Sequence, residues 1–454
     1  MDIVIKKVYE TIINNNMILD SDRVLVGFSG GADSLFLILS LIEIKKHIDF
    51  EIYAAHLNHG IRGAEAKNDE DFVTEFCKLK NITLYKKNID IPTISKNEKV
   101  SEETAGRNER YKFFNTICKE NDINKIAVAH NMNDSVETVI LNMIRGSSLN
   151  GLCGIKPINN DIIRPIINVK RDEIECYLKN NNQNYCIDST NLTQVYTRNK
   201  VRNSILKSMS DINPSVIDTI YSNIQNLRSD DDFIKTYTQN LKCIALDGNN
   251  IIINRGIFEL QHNAIKNRII LDAYSMITGD ISGITSYHLS IFNSELSTGK
   301  KYNFPNGVMA SVSFDSIVFS KKQFASNEFY YNYKIGDNLE YINGCRINTS
   351  HCNYFDKNDT KALYIDADMI KNKTLTIRSR IDGDRFIPFG MKSKKKLKQL
   401  FVELKIPAWK RNDIPIVVDG DEIVAVVPYR ISELYKVTYK TKNIIKIQIT
   451  KENN

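Results

Sequence analysis

Six consecutive residues near the start of the chain combine groups that bind phosphate with one that repels it. They are Ser29, Gly30, Gly31, Ala32, Asp33 and Ser34. The apolar run from Val24 to Phe28 predicts a strand just before them, and the run from Leu35 to Ile44 predicts a buried helix just after them. In such a turn, unpaired backbone N–H groups and the positive end of the helix dipole converge, and glycine lets an anion approach closely. The segment therefore predicts a phosphate-binding loop.

Asp33 is the one group of this loop that conflicts with a phosphate, because its carboxylate carries the same sign of charge. A cation between the two removes the conflict, and Mg²⁺ fits because it prefers oxygen ligands from carboxylates and phosphates. The lysine of an ATP-hydrolysing loop, G-x-x-x-x-G-K-[ST], is missing here. The other interpretation is a tight turn without a ligand, in which Asp33 or Ser34 caps the helix.

Strands and helices alternate along the first two hundred residues, and they must hold this loop in place. Strands are predicted at Ile52–Ala55, Ile82–Tyr85 and Lys125–Ala129, and helices at Asn68–Leu79, Glu102–Cys118 and Asp134–Ile144. This alternation predicts an α/β fold, a doubly wound parallel sheet covered by helices on both faces. Ligands of such sheets bind at the carboxyl ends of the strands, and the loop follows such an end.

In the rest of the chain the predicted secondary structure changes twice. From about Ser204 the strand signals stop, and helices are predicted at Ile217–Leu227, Phe233–Leu241 and Ala264–Met276. Residues 299–320 predict short strands. From about Leu375 a mixed segment begins, with strands at Leu375–Arg378, Ile414–Val418 and Glu422–Val427 and a helix at Lys395–Leu404. We therefore expect an α/β domain over residues 1–210, which would be the catalytic domain if the 29–34 loop binds phosphate, a mostly helical middle domain over 211–325 and a small α+β C-terminal domain over 326–454.

The composition is that of an ordinary globular protein, with 454 residues of which 42% are hydrophobic and 25% are charged. No apolar run reaches the roughly 20 residues that a membrane-spanning helix needs, and the start MDIVIKKVYETI does not have the pattern of a signal peptide. We therefore expect a cytoplasmic protein without a membrane partner. The formal charge of +7 favours a polyanionic partner only weakly, and eight cysteines without a C-x-x-C pair predict no structural zinc.

The loop also resembles that of the N-type ATP pyrophosphatases, the PP-loop family, whose members adenylate a substrate and release pyrophosphate. Three later motifs resemble one branch, the tRNA(Ile)-lysidine synthases: His56–Arg62 (H-x-N-H-G-x-R), Glu103–Tyr111 (E-x-x-A-R-x-x-R-Y) and Ala129–Thr138 (A-H-x-x-D-D-x-x-E-T). Further matches at Arg164-Pro165, Asp188–Asn191, Tyr196–Arg202 and Arg378–Gly390 extend the resemblance over nearly the whole chain. Two residues depart from the motifs. Gly106 stands where alanine is usual, and Asn133 replaces the first of two aspartates, so the acidic role falls to Asp134.

The resemblance implies a ligase that joins L-lysine to the wobble cytidine of the isoleucine tRNA with a CAU anticodon. ATP, with Mg²⁺, would first transfer AMP to the oxygen at ring position 2. The lysine amine would then displace AMP, which changes codon reading from AUG to AUA. One alternative is a PP-loop enzyme that 2-thiolates tRNA, although such enzymes generally carry cysteines of a kind missing here. Another alternative is a non-catalytic RNA-binding protein with a retained nucleotide pocket. Whether the protein forms a homodimer is left open by the sequence.

The resemblance also implies a role for each of several residues. ATP is expected at Ser29, Gly30, Gly31, Ala32, Asp33, Ser34 and His56, with Mg²⁺ on Asp33. The catalytic residues would be Asp33, His130, Arg107 and Asp134, and the substrate lysine would bind Asp134 and Glu137. The tRNA is expected at Arg198, Arg202, Lys394, Lys395, Lys396 and Lys398. These lysines adjoin an apolar stripe, Leu397, Leu400, Phe401 and Leu404, which predicts a helix packed on a core with the lysines free for phosphates.

Several of these residues have an ordinary structural interpretation as well. His56 and His59 could be histidines of a surface loop. Glu103 and Arg107 could form an ion pair, because they lie four residues apart on a predicted helix. The segment Asp134–Glu137 has the form of a capping box, an acidic residue followed three positions later by glutamate.

Overall fold

The structure is a computed structural model that describes residues 1–451 apart from 59, 61–63, 187–196, 295, 322–327, 343–344, 357–358, 360–361, 373 and 407–409. The motif residues His59, Arg62, Asp188–Asn191 and Tyr196 lie outside this described part. The chain divides into two compact units, residues 1–233 and 234–454. In the described part of the chain no helix is long and apolar enough to cross a bilayer.

The first unit alternates strands and helices. Its strands are β1 (Arg23–Gly27), β2 (Glu51–Asn58), β3 (Thr83–Asn88), β4 (Lys125–Ala127), β5 (Ile158–Asn159) and β6 (Ile162–Ile163). Its first helices are α1 (Ile3–Asn14), α2 (Ala32–Ile44), α3 (Ala64–Leu79), α4 (Ile91–Glu98), α5 (Glu102–Glu120) and α6 (Met132–Arg145). They are followed by α7 (Leu149–Leu152), α8 (Arg171–Asn180), α9 (Thr197–Lys200), a π-helical turn over Val201–Ile205, α10 (Leu206–Ile212) and α11 (Val216–Asn240), which ends in the second unit.

The six strands form one sheet in the order β3-β2-β1-β4-β6-β5, and only the β5–β6 pair is antiparallel. The predicted doubly wound parallel sheet is thereby confirmed. The chain runs from β1 to β2 on one side and reaches β4 on the other side of β1. Ligands of such sheets bind in the crevice at this switch point, beside the carboxyl ends of the strands. The 29–34 loop follows β1 and His130 follows β4, so both lie at this crevice.

Strand β1 is buried on both faces, which explains its unbroken apolar sequence. Val24 and Val26 belong to one core, with α1, α2 and α8, whereas Leu25 faces the other core, with α5. Gly27 ends the strand directly over the second core, where an added Cβ would lie 2.9 Å from the ring of Phe114. The glycine therefore lets α5 pack against the strand just before the loop.

The first part of the second unit contains a sheet that the sequence analysis did not predict in full. Its elements are β7 (Ile244–Asp247), β8 (Asn250–Asn254), α12 (Arg255–Glu259), α13 (Asn263–Thr278), α14 (Ser286–Ser290), β9 (Lys301–Asn303), β10 (Val308–Val312) and β11 (Ser316–Lys321). The strands pair antiparallel in the order β7-β8-β11-β10-β9. The expectation that strands stop at about Ser204 until residue 299 is therefore wrong for the β7–β8 hairpin.

The two helices predicted at Ile217–Leu227 and Phe233–Leu241 are one helix, α11. The polar stretch between them, Arg228–Asp232, interrupts the apolar pattern but contains neither glycine nor proline. It therefore changes which side of the helix is solvated without ending it. Its Arg228 donates to the backbone carbonyl oxygens of Cys153, at 2.9 Å, and Ile155, at 2.5 Å.

The last part of the second unit is the expected α+β region. Its elements are β12 (Tyr330–Tyr333), β13 (Asn338–Ile342), β14 (Cys345–Cys352), β15 (Ala362–Asp366), β16 (Leu375–Arg378), β17 (Arg385–Phe386), β18 (Lys395–Lys396), α15 (Leu397–Glu403), β19 (Ile416–Asp419), β20 (Glu422–Val426), β21 (Arg430–Ile431) and β22 (Ile444–Lys451). They form the sheets β12-β16-β19-β20-β21, β13-β14-β22-β15 and β17-β18. Helix α15 begins two residues later than predicted, because Lys395 and Lys396 pair with Phe386 and Arg385 as a strand.

Candidate nucleotide-binding and catalytic site

The 29–34 loop has the geometry of an anion cradle. Gly31 is the N-cap of α2 and supplies no side-chain acceptor, so the first N–H groups of this helix are left for a ligand. The Ser29 and Ser34 hydroxyl oxygens lie 3.0 Å apart, and the Ser34 hydroxyl oxygen is also 3.0 Å from the Gly31 carbonyl oxygen. Asp33 sits inside the first turn of the helix and does not cap it. The interpretation as a turn capped by Asp33 or Ser34 is therefore wrong.

Gly30 is the residue of the loop that tolerates no side chain. Its φ is +87°, and an added Cβ would lie 3.2 Å from the Cys186 sulfur. We expect Gly30→Ala to weaken ATP binding about 10-fold and to destabilise the protein by about 1–3 kcal/mol, the usual cost of a strained backbone position. Calorimetric ATP titration and thermal unfolding test this. Gly248→Ala is the matched control, because Gly248 has a φ of +59° but open space around it. Equal ATP affinity of wild type and Gly30→Ala would contradict the expectation.

Asp33 projects from the loop into a set of polar partners. One carboxylate oxygen accepts a hydrogen bond from the Asn131 amide at 3.1 Å, and the other lies 2.5 Å from a terminal nitrogen of Arg171. Burial raises the pKa of Asp33 to about 6, against the opposing effects of Arg171 and Asn131. The carboxylate is therefore available as a cation ligand at neutral pH, but it loses its charge in mildly acidic solution.

The start of α6 holds Asn131 and Asp134 in one capping box. The Asn131 side chain accepts the Asp134 backbone N–H at 3.0 Å, and the Asp134 carboxylate accepts the Asn131 N–H at 3.0 Å. The capping box therefore involves Asp134, as its structural interpretation suggested, but its partner is Asn131 and not Glu137. Asn133 accepts the backbone N–H of Arg171 at 3.1 Å. An aspartate would offer the same acceptor oxygen, so the asparagine that replaces the usual aspartate at position 133 preserves this contact.

Asp134 and Glu137 form a carboxylate pair that two arginines neutralise. Arg198 lies 2.7 Å from Glu137 and 3.1 Å from Asp134, and Arg202 lies 2.6 Å from Glu137 and 3.5 Å from Asp134. Glu137 is fully buried, whereas the two arginine side chains keep 30% and 37% of their surface exposed. The segment Thr197–Ile205, which includes the π-helical turn, places both arginines over the start of α6. Arg198 and Arg202, which were predicted to bind the tRNA, thus contact Asp134 and Glu137, which were predicted to bind the substrate lysine.

His130 is held as a neutral hydrogen-bond donor. Its Nδ1 accepts from the Nε–H of Arg164 at 3.2 Å, so the ring proton lies on Nε2. Burial, together with the charges of Arg164, Arg198, Arg107 and Arg110, lowers the pKa of His130 to about 3. An uncharged imidazole with a fixed Nε2–H can donate to an oxygen on which negative charge develops.

The contacts of Arg107 and His56 are not those of an Arg–Glu ion pair or of a histidine in a surface loop. In the described residues Arg107 is exposed on α5, and its guanidinium lies 5.5 Å from the ring centroid of Tyr111 in place of an ion pair with Glu103. His56 is 5% exposed and its Nδ1 donates to the Phe28 carbonyl oxygen at 3.0 Å, so it is not a surface histidine. It braces the end of β1 directly before the phosphate loop.

Known proteins align with this chain over nearly its whole length. Residues 1–209 match the model of the PP-loop domain, and residues 375–449 match that of the TilS substrate C-terminal domain. The tRNA(Ile)-lysidine synthases of Caldanaerobacter subterraneus and Clostridium perfringens are each 36% identical to it over 99% of this chain and 98% and 100% of their own. The enzyme of that name from Clostridioides difficile is 36% identical, over 98% and 99%. The chain belongs to the tRNA(Ile)-lysidine synthase family.

Membership in the tRNA(Ile)-lysidine synthase family confirms the expected enzyme class, a ligase that forms a carbon–nitrogen bond and binds ATP in its PP-loop domain. It favours this class over the thiolation enzyme and the non-catalytic RNA-binding protein. The resemblance read from the motifs is confirmed as well, including its extent over nearly the whole chain.

Of the four lysines predicted to bind tRNA, two already pair with acidic side chains. Lys394 lies 3.5 Å from Glu422, and Lys395 is 17% exposed and paired with Glu403. The expectation that all four ammonium groups are free is therefore wrong for these two, while Lys396 and Lys398 are exposed. The apolar stripe is confirmed for Leu397, Leu400 and Phe401, which are buried.

The pKa of Asp33 leads to a pH prediction for this lysidine synthase homologue. If the charged form of Asp33 is needed, kcat/KM for ATP-dependent pyrophosphate release should fall with decreasing pH below about 6, with the slope of one proton. His130 stays neutral down to a pH of about 3 and cannot cause this limb. Initial rates between pH 5 and 8, at sub-saturating ATP and a fixed low Mg²⁺ concentration, test it, because bound Mg²⁺ would itself lower the pKa of Asp33. A flat profile down to pH 5 under these conditions would contradict it.

Proposed function

We propose that the protein joins L-lysine to ring position 2 of the wobble cytidine in the CAU-anticodon tRNA(Ile), through an adenylated cytidine. The products are AMP, pyrophosphate and a tRNA that reads AUA in place of AUG. One observation carries the proposal: in a member of this family, the phosphate loop, the His130 donor and the Asp134–Glu137 carboxylate pair meet at the carboxyl ends of β1 and β4.

In the first step the cytidine oxygen attacks the α-phosphorus of ATP, and the bond to the β-phosphate breaks. The N–H groups of the 29–34 loop bind the phosphates, and His56 supports that loop. His130 donates its Nε2–H to an α-phosphate oxygen, and the exposed guanidinium of Arg107 adds positive charge beside it. These groups stabilise charge that is larger in the transition state than in bound ATP, so they raise kcat.

Asp33 is the proposed Mg²⁺ ligand. Its carboxylate is a hard oxygen donor beside a phosphate loop, and the described residues include no group of three side chains that could hold a metal. Such a donor set fits an ion that takes most of its ligands from nucleotide phosphates and water. Bound there, Mg²⁺ would neutralise negative charge on the departing pyrophosphate.

In the second step the ε-amine of lysine attacks ring carbon 2 and displaces AMP from the cytidine. We propose that Asp134 and Glu137 bind the lysine, because they are the acidic pair at this crevice. The amine must lose a proton before it attacks, and Asp134, which is less buried than Glu137, is placed to accept it. In the structure Arg198 and Arg202 neutralise both carboxylates, so a lysine ammonium has to compete with them.

The tRNA is proposed to contact both units. In the first unit, Arg198 and Arg202 lie at the crevice with about a third of each side chain exposed. In the second unit, a cavity of about 460 Å³ lies beside the end of β16 and is lined by Tyr330, Arg380 and Asn412 among others. An aromatic ring and a guanidinium suit an unstacked nucleotide. Lys396 and Lys398, which are both exposed, add positive charge on the second unit.

We expect Lys396→Gln/Lys398→Gln to weaken tRNA binding about 3- to 10-fold and to lower the slope of log Kd against log salt by roughly 2, one for each lost phosphate contact. Filter binding at several salt concentrations measures both. Lys78→Gln/Lys80→Gln is the matched control, since these two lysines are also exposed and two residues apart. An unchanged salt slope in the first variant would contradict the assignment.

The function is tested by incubating the protein with ATP, Mg²⁺, radiolabelled lysine and the CAU-anticodon tRNA(Ile), followed by digestion to nucleosides. Label on the wobble nucleoside is expected, with none on the elongator methionine tRNA, which has the same anticodon. Pyrophosphate release without lysine label would contradict ligation while leaving adenylation standing. A homodimer stays a prediction, which light scattering of the purified protein tests.

A further inference from the structure

Arg171 is the residue at the phosphate loop to which no motif assigned a role. It is the first residue of α8, and its guanidinium lies 2.5 Å from Asp33 through Nη1 and 2.7 Å from Glu175 through Nε. In the described part of the chain, Nη2 makes no hydrogen bond. One nitrogen of the planar fork is therefore available at the rim of the loop.

The position of Arg171 relative to the loop is fixed from two sides. On α8, Ile174 and Leu178 are fully buried in the same core as α2, and the rings of Phe36 and Tyr177 meet edge to face at 5.2 Å. At the start of α8, the backbone N–H of Arg171 donates to Asn133 of α6 at 3.1 Å. A guanidinium held between α2 and α6 needs little further ordering before it can bind a ligand.

Asp33 and Glu175 determine which way the guanidinium faces. Glu175 lies four residues along α8 and holds Nε, while Asp33, in the first turn of α2, attracts the Nη side toward the loop. The side chain of Arg171 is about one-third exposed, so the same edge is open to a ligand that enters the crevice. Nη2 carries two N–H donors in the plane of the guanidinium, so it can donate to phosphate oxygens while Nη1 and Nε keep their carboxylate partners.

We propose that Arg171 is a further catalytic residue of the adenylation step, one that binds the leaving pyrophosphate through its Nη edge. The inference rests on the proposed function, because that function supplies the step. When the cytidine oxygen bonds to the α-phosphorus, the bond to the bridging oxygen breaks and its electron pair stays on the pyrophosphate. The leaving group gains one negative charge in this way, and Arg171 offers positive charge at that place without moving a proton.

The test compares Arg171→Gln with Lys170→Gln. Both variants lose one positive charge at the start of α8, but Lys170 is directed at Asp218, 3.0 Å away, and not at the loop. Calorimetric titration with inorganic pyrophosphate in the presence of Mg²⁺ gives a readout that does not depend on turnover. We expect Arg171→Gln to weaken pyrophosphate binding at least 10-fold and to lower kcat of pyrophosphate release about 100-fold. Lys170→Gln should match the wild type in both.

Equal pyrophosphate affinity in Arg171→Gln and Lys170→Gln would overturn the assignment. If Arg171→Gln does not fold, as judged by thermal unfolding, Arg171→Lys replaces it. That variant keeps the charge beside Asp33 but loses the planar fork, so we expect several-fold weaker pyrophosphate binding, and wild-type binding would overturn the proposal. A wild-type protein that binds pyrophosphate but releases none from ATP with the tRNA would contradict the proposed function and leave the pyrophosphate contact of Arg171 testable by titration.

Discussion

Replacing Asp33 by asparagine is expected to lower pyrophosphate release about 100- to 1000-fold while leaving the fold intact. Asparagine has the same shape and keeps an oxygen for the Asn131 amide, which donates to Asp33 at 3.1 Å. It cannot supply the negative charge that a metal ligand needs, nor can it pair with Arg171. Loss of a group that stabilises charge in the transition state has effects of this size. Rates with ATP, Mg²⁺ and tRNA measure the change.

A rise in the Mg²⁺ concentration needed for half-maximal rate separates a metal ligand at position 33 from a purely structural residue. We expect this concentration to increase at least 10-fold in Asp33→Asn, because the protein would then contribute only a weak amide oxygen. Asp172→Asn is the control, since it also removes a carboxylate, but one that is exposed near the start of α8 and lies outside the phosphate loop. A variant with normal rate and normal Mg²⁺ dependence would contradict the role of Asp33.

The features that were predictable from sequence are those determined by nearby residues. The strand, loop and helix around Ser29–Ser34 follow from two apolar runs and two glycines, and the structure has them at nearly the predicted bounds. The β7–β8 hairpin also had a local signal, the two-residue turn Gly248-Asn249 between two apolar segments, which is a typical hairpin turn.

The partners inside the site were not predictable, because they are distant in sequence. Asp33 is 98 residues from Asn131 and 138 from Arg171, and Arg198 is 61 residues from Glu137. No periodicity links such pairs, and only the order of the strands brings them to one edge of the sheet. Asn131 had a weak local signal, since asparagine directly before a helix start is a favoured N-cap. Arg171 had none.

Glu137→Gln is expected to destabilise the protein by about 2–3 kcal/mol, a decrease in Tm of about 5–10 °C. Glu137 is 1% exposed and contacts Arg198 and Arg202 at 2.7 and 2.6 Å. Without its charge, the two guanidinium groups keep only Asp134 as a counter-ion. The cost falls below the 3–5 kcal/mol of a fully buried pair, because about a third of each arginine side chain reaches solvent.

Two comparisons show whether this loss comes from the buried charge. Glu10→Gln removes a glutamate whose pair with Lys6 is exposed and 3.9 Å long, so its Tm should stay within about 1 °C of the wild type. The double variant Glu137→Gln/Arg202→Gln should be more stable than Glu137→Gln alone, because it removes the positive charge that exceeds the single counter-ion Asp134. A double variant less stable than both single variants would contradict this electrostatic account.

The same substitution separates the two chemical steps. Glu137 contacts neither the 29–34 loop nor His130 in the structure, so pyrophosphate release at saturating tRNA should fall less than 3-fold in Glu137→Gln. The KM for lysine should rise at least 10-fold, because a charged acceptor for an ammonium group is lost. An unchanged lysine KM in a folded variant would assign Glu137 to holding Arg198 and Arg202 alone. The substrate lysine would then bind Asp134 without Glu137, and the role of the carboxylate pair would be to position Arg198 and Arg202 at the opening of the crevice.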